Sequence, residues 1–463
     1  MQNYTEINAL KRNTLIIAIA NIGSKAIAFL LAPIYSYFLT PSQYGITDLI
    51  TTSVSLLLPI LCLDIYEATF RYTSDKNYSE TKVVSSSLFI LIIETIFLIL
   101  GSLVLKYLCS IPDYLFVVLV CVELDSIFQV LTQYVRGKNL MKEYAYSGVV
   151  FSIVLLIANL ILLVLMQKEL TGWIMSFLAA KFIACFYIVY ISKFWHFFSL
   201  KDISKDYLRE AFQYCLPLLP NTIMWWVMNL SDRFLITFYI GIAGTGIYAV
   251  ASKIPSILGI FENIFFQSWQ TSAINTVEDN NKEDFYSFIF EKYLIFLSLG
   301  IITVLTILKP VIHFFSEEYE SAWISSGILV VSVIFHALGG NLGALYAAFK
   351  TTKGAFYTSL CGALTNLSLN ILLIPLWGLT AAALTTMIGY FVVLLMRWID
   401  IKKYVHLKIK IETVCVCSFL VITQTTAYYL DNMFSYPFFI IVLLTGLFFY
   451  KKEIKGLVSA VIK

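Results

Sequence analysis

The chain has 463 residues, of which 59% are hydrophobic and only 13% charged, with a formal net charge of +3. So few charges cannot solvate the surface of a soluble protein of this size, and so small a net charge does not suit a nucleic-acid partner. The composition is that of a polytopic membrane protein.

Apolar stretches fall near 14–38, 45–67, 83–105, 114–135, 144–166, 170–192, 212–240, 243–273, 288–308, 322–348, 355–376, 379–399, 411–430 and 435–450. Each approaches or exceeds the roughly 20 residues that cross about 30 Å of hydrocarbon. The expected fold is all-α and polytopic, with about 14 transmembrane helices.

The first stretch follows Lys11 and Arg12 but is too long for the apolar segment of a signal peptide, so it is read as a helix. Its small residues Ala20, Ser24, Ala28 and Ala32 recur at every fourth position, the spacing of a close helix contact in lipid. Lys25 lies near its middle, where an ammonium costs roughly 2.5–3.5 kcal/mol on insertion scales. Such a charge is retained where water, an anion or a counter-charge meets it inside a bundle. Asn21 lies one turn before it.

The second stretch carries Asp48 early, and Asp64, Glu67 and Arg71 share a face near its cytoplasmic end. That set reads first as a solvated helix end. In a functional reading, Arg71 receives an anionic headgroup entering from the inner leaflet. Lys181, in the middle of the sixth span, has no polar stripe beside it and reads as a static buried pair.

A basic connection of about 193–211 leads to the densest polar cluster within predicted hydrocarbon, PNTIMWWVMNLSDRFLI. On a helix, Asn221, Trp225, Asn229 and Arg233 form one stripe, with Trp226 and Asp232 beside it. Pro217 and Pro220 bend or start this helix. In the next span Lys253 lies roughly 15 Å deep by helical rise. Two cations at mid-depth, Lys25 and Lys253, with Arg233 somewhat further out, make a positive centre suited to a diphosphate. The competing reading is internal pairing with Asp48, Glu94, Glu123, Asp125, Asp232 or Glu262.

Of four histidines only His336 lies well inside a span, where a hydrogen-bonded packing role is preferred to a proton relay. All eight cysteines lie in or at the ends of apolar spans, without the spacing of a metal site, so neither a disulfide frame, a metal nor a cofactor is expected. No glycine-rich phosphate loop precedes a helix, and the outward turns are too short to hold a catalytic constellation. An enzyme is not expected.

Lys and Arg concentrate in alternate loops, which places both termini in the cytoplasm by the positive-inside rule. The segments Asn21 to Gly45 and Asn221 to Gly246 have a common layout: an aromatic-rich helix exit, a short turn, Gly-Ile and a new helix. The predicted organisation is therefore a six-helix bundle over 1–196, a cytoplasmic connection over 197–211 and a second six-helix bundle over 212–403. Two additional helices and a basic C-terminus occupy 404–463. Pseudo-symmetric halves of this kind suit alternating access around a central site.

The segments NIGSKAIAFLLAPIYSYFLTPSQYGITDL, LPLLPNTIMWWVMNLSDRFLI and GTGIYAVASKIPSILGIFENIFFQSWQTSAI resemble bacterial polysaccharide-repeat flippases. These are the Wzx-type members of the multidrug/oligosaccharidyl-lipid/polysaccharide exporter superfamily. The likeness is strongest over 14–72 and 215–275. It implies a V-shaped pair of bundles in the bacterial cytoplasmic membrane. The implied cargo is an oligosaccharide on undecaprenyl diphosphate, moved to the outer leaflet for capsule, O-antigen or related polymer synthesis. Related lipid II flippases have a Ser-basic pair in the first helix, here Ser24-Lys25, and an acid early in the second, here Asp48; they carry more central arginines than this chain.

On this reading Lys25, Arg233, Lys253 and Arg71 bind diphosphate. Asn21, Asn221, Trp225, Trp226 and Asn229 line the chamber, and Asp48 or Asp232 couples an ion. The expected partners are the lipid-linked oligosaccharide, membrane lipid and polysaccharide polymerase machinery. Within transport the rival is a cation-coupled multidrug antiporter of the same superfamily, whose cargo calls for inward carboxylates. From another class the rival is a membrane glycan polymerase or ligase, which needs an outward catalytic loop; Glu317, Glu318 and Glu320 lie in the longest candidate.

Overall fold

The computed structural model describes residues 23–75, 77–108 and 114–430, and among them all regular structure is helical. The chain divides into two compact units, Met1–Trp226 and Val227–Lys463.

In the first unit, α1 covers 23–38 within the described residues. It is followed by α2 (Pro41–Leu61), α3 (Ile65–Thr73), α4 (Glu80–Leu108), α5 (Tyr114–Gly137), α6 (Met141–Asn159), α7 (Glu169–Ser192) and the short α8 (Lys205–Cys215). Helix α9 (Leu219–Tyr239) carries the chain across the boundary between the units. The second unit continues with α10 (Ile242–Asn275), α11 (Lys282–Ile312), α12 (Ala322–Ala348), α13 (Thr352–Ile401) and α14 (Ile411–Tyr429). Ten of the described helices are long and apolar enough to cross a membrane, and the protein is a multi-pass membrane protein. Helix α9 is outside that set despite its 21 residues. Asn221, Asn229, Asp232 and Arg233 dilute its apolar character. The expected last span, 435–450, lies outside the described residues, as do both termini.

The expected single span over 45–67 is two helices. Pro59 removes a backbone donor near the end of α2, and Leu63 and Asp64 then take left-handed conformations at φ 53° and 54° before α3 begins. Neither residue is glycine, so composition gave no sign of a break. At the start of α2, Thr40 accepts from the Gln43 amide while the Gln43 side chain accepts from the Thr40 amide, a reciprocal cap with Pro41 in the first turn. The expected 212–240 span is also divided. Helix α8 ends at Cys215, and α9 starts at Leu219 with Pro220 in its first turn, where a missing N–H does no harm.

Helix α8 starts on a Ser204 cap and buries Tyr207, Ala211 and Cys215. These join Leu58, Cys62, Ile65, Val83 and Leu91 in one core cluster. Hydroxyls tie the same elements together, Thr69 to Ser87 at 2.9 Å and Ser87 to Tyr207 at 3.3 Å. Large apolar residues on α4 such as Ile96, Leu100 and Leu103 are exposed, as befits a helix whose outer face meets hydrocarbon.

In α13 the helical path breaks at Gly378, with φ 63° and ψ −138°, which turns one 50-residue element into the two expected spans. An L side chain there meets steric strain of about 1–3 kcal/mol. Gly378→Ala is expected to lower the thermal midpoint of the purified protein; an unchanged midpoint would show that the turn can relax.

Candidate functional site

The polar stripe of α9 becomes part of a cavity of about 240 Å³ inside the second unit. Asn229, Asp232 and Arg233 line one side, Ser252 and Glu262 of α10 another, and His336 of α12 with Thr386 and Tyr390 of α13 the remainder. A small polar chamber inside membrane-spanning helices requires that its charges be paired or hydrogen-bonded. Arg233 meets that requirement. Its Nη1 donates to Asp232 Oδ1 at 2.8 Å and to the Asn229 carbonyl at 2.9 Å, and Nη2 donates to Ser252 Oγ at 3.4 Å. The guanidinium also lies 5.5 Å from the centre of the Tyr248 ring. Asp232 is 3% and Arg233 7% exposed, so this pair is buried rather than a surface contact.

A second polar group completes the lining. His336 Nδ1 lies 2.7 Å from Glu262 Oε1, its ring stands edge-on to Tyr390 at 4.7 Å, and the Tyr390 hydroxyl donates to Asn229 Oδ1. Helices α10 and α13 thus meet the α9 stripe through Ser252 and Tyr390, and α12 joins them through the contacts of His336 with Glu262 and Tyr390. His336 has the hydrogen-bonded role expected of it, and it also faces the chamber. The involvement of Glu262 and Tyr390 has no signal in spacing along the chain, because their partners are one or more helices away.

The other expected site residues are distributed as follows. Lys253 lies between Ser252 and Ser256, which line the chamber, and is half-buried on α10. Asn221 is exposed and Trp225 half-buried in the first half of α9. Trp226 belongs to the first unit, where its Nε1 donates to the Thr52 carbonyl at 3.1 Å and to Ser55 Oγ at 3.2 Å. Lys25 is exposed on α1, Asp48 is half-buried on α2, and Arg71 is exposed in the last turn of α3. Asn21 lies outside the described residues.

Lys181 has the static role expected of it. Its ammonium donates to Asp125 and stands 4.5 Å from the Phe128 ring centre and 4.6 Å from that of Phe151. Asp400 and Lys403 form a 2.6 Å pair at the end of α13.

Removing Asp232 alone leaves a buried guanidinium without its carboxylate, a loss of about 3–5 kcal/mol. Asp232→Ala should therefore lower the thermal midpoint strongly, and Asp232→Asn with Arg233→Gln should recover most of the loss. Equal destabilisation by single and double variants would show that the pair is not the source.

The sequence profile of the polysaccharide biosynthesis protein family matches residues 10–270. No curated protein sequence matches the chain. Among solved structures, the lipid II flippase MurJ in an inward closed conformation superposes with a TM-score of 0.72 at 14% identity, over 95% of this chain and 100% of that one. An inward-facing multidrug resistance MATE family transporter of the MOP superfamily gives 0.60 at 14% identity, over 85% and 94%. A MOP superfamily transporter from Pyrococcus furiosus gives 0.59 at 14%, over 86% and 96%. At such identities the likeness establishes the fold, and the profile match covers more than half of the sequence. The chain therefore belongs to the polysaccharide biosynthesis protein family and has the helical fold of the MOP superfamily transporters.

Proposed function

We propose that the protein is a flippase that moves undecaprenyl-diphosphate-linked oligosaccharide repeat units from the cytoplasmic to the outer leaflet by alternating access. The products would supply capsule, O-antigen or exopolysaccharide synthesis in the bacterial cytoplasmic membrane, with both termini cytoplasmic and a polysaccharide polymerase acting downstream. The observation that carries this reading is a fixed guanidinium lining a polar chamber among spanning helices, in a member of a polysaccharide biosynthesis family. The solved structure with the 0.72 TM-score is of a protein that flips lipid II, itself a lipid-linked cargo by name, which adds support from the fold.

Lys25, Arg233 and Lys253 are proposed to meet the diphosphate, and Arg71 to receive it at the inner leaflet. The asparagines Asn21, Asn221 and Asn229, with Trp225 and Trp226, suit sugars through hydrogen bonds and ring stacking. The chamber is not simply cationic, because Asp232 offsets Arg233 and Glu262 faces the same space. A diphosphate must therefore compete with Asp232 for the guanidinium, which allows binding without trapping. Exchange of the Arg233 partner also gives Asp232 a route to an ion-coupling role, as proposed for Asp48.

Glu262 supports one alternative, a cation-coupled multidrug antiporter, since a cationic cargo would meet a carboxylate there. The two readings part on cargo. In proteoliposomes, transfer of a labelled diphospholipid-linked glycan is expected in the wild type and should fall about tenfold or more in Lys25→Ala, Arg233→Ala and Lys253→Ala. That loss corresponds to the roughly 1.5–3 kcal/mol of one charge-assisted hydrogen bond. Undiminished transfer in all three folded variants would reject the anion-binding role, and drug efflux without glycan transfer would favour the antiporter.

A further inference from the structure

Two acids in the first unit have no basic partner among the described residues. Glu94 of α4 is 2% exposed, and its Oε1 accepts from Ser126 Oγ of α5 at 2.8 Å. Glu123 of α5 has its Oε1 2.7 Å from Thr95 Oγ1 of α4. The two contacts are reciprocal across one helix pair, each acid meeting a hydroxyl next to, or one turn from, the other acid. The second oxygen of each carboxyl is buried and has no hydrogen-bond partner. Among the described residues, neither acid has a Lys, Arg or His nitrogen within ion-pair distance.

The Thr95 hydroxyl indicates how such acids can persist in hydrocarbon. Its oxygen lies 2.8 Å from the Leu91 carbonyl as well as 2.7 Å from Glu123. A hydroxyl has one proton, and directing it to the helix carbonyl leaves an oxygen that can only accept. Thr95 Oγ1 is placed to donate to either acceptor, and a neutral Glu123 would end that competition by supplying its own proton to the contact. An ionised carboxylate at this position would also lack the partners that buried charges require.

Among the described residues, groups on the surrounding elements do not supply a counter-charge. Cys62 and Asp64 at the α2–α3 junction are neutral or acidic, and Asp64 accepts from the Tyr66 hydroxyl at 2.6 Å. Glu67 of α3 is acidic, and Cys121 of α5, Cys185 of α7, and Tyr207 and Cys215 of α8 bring no positive charge. The ammonium of Lys181 on α7 is engaged by Asp125. The turns carrying His196, Lys201 and Asp202 pack toward Ser85, some 13 Å along α4 from Glu94 at about 1.5 Å of rise per residue.

Glu123 and Thr95 also line a cavity of about 310 Å³ at the α4–α5 seam that extends to Ser102 and Phe116. On the proposed topology Ser102 and Phe116 lie toward the outer face, and Leu98, Ile99, Leu119, Val120 and Leu124 make the rest of the wall apolar. Glu94, next to Thr95 in the chain, is not part of the lining.

We propose that Glu94 and Glu123 form a proton-binding site at the α4–α5 seam, loaded from the outer side, whose occupancy drives transport. The step balances simply: hydronium gives its proton to a carboxylate, leaving water and a neutral carboxylic acid that the apolar surroundings accept. Only the coupling to transport rests on the flippase reading; proton binding does not.

Two measurements on the full-length protein separate these claims. Difference infrared spectra recorded during a pH titration in sodium-free buffer should show a protonated-carboxyl band at neutral pH, diminished in Glu94→Gln and in Glu123→Gln and shifted in Thr95→Val. Glutamine is isosteric with the neutral acid, so both Gln variants should keep the wild-type thermal midpoint. Superimposable spectra for the wild type and all three variants would overturn the site, as would a band that appears only on replacing sodium, which would indicate a metal cation instead. In proteoliposomes with the labelled glycan lipid, an acid-outside gradient should raise wild-type transfer several-fold and leave both Gln variants unaffected. Gradient-independent wild-type transfer would overturn the coupling. Absence of any glycan transfer would count against the proposed cargo, while the spectra would still decide the proton site.

Discussion

The cost of an uncompensated charge in hydrocarbon governs where the ionisable groups of this protein sit. The chain resolves that cost in three ways. Lys181 and Asp125 neutralise each other among aromatic rings, and Arg233 is held by Asp232, a carbonyl and a hydroxyl. Arg397, only 4% exposed, donates to the Gly339 carbonyl at 2.7 Å and to the Ser359 and Thr358 hydroxyls at 2.9 and 3.2 Å. The first solution stabilises packing, the second leaves a polarised surface on a chamber, and the third fixes two helices of the second unit against each other.

These differences separate scaffold from function more usefully than burial alone. An ion pair enclosed by rings has no room for a ligand. A pair at the wall of a cavity can exchange its partner, because an incoming anion offers the guanidinium the same charge-assisted bonds that the carboxylate did. Glu262 and His336 extend the same logic, since their contact faces the chamber and can respond to what enters it.

The spans were legible because length and hydropathy report directly on the thickness of the bilayer. The α9 stripe was legible because its polar residues recur at helical spacing within one segment. Other features depend on contacts that local sequence does not carry. The α2–α3 break rests on left-handed Leu63 and Asp64 rather than on glycine, and Tyr390 reaches Asn229 across 161 positions. The pairing of Lys181 was inferred correctly in kind, yet its partner lies 56 residues away and was one candidate among several.

The junction between α2 and α3 has a mechanical implication. Two successive L residues in the left-handed region cost roughly 1–2 kcal/mol each relative to a right-handed turn, and Asp64 is secured there by the Tyr66 hydroxyl and by the Cys215 thiol donating to its carbonyl at 3.2 Å. The joint thus behaves as a loaded spring whose catch is a phenol and a thiol. Releasing that catch favours straightening of the helix, so the geometry of the second membrane span is bound to the seating of α8.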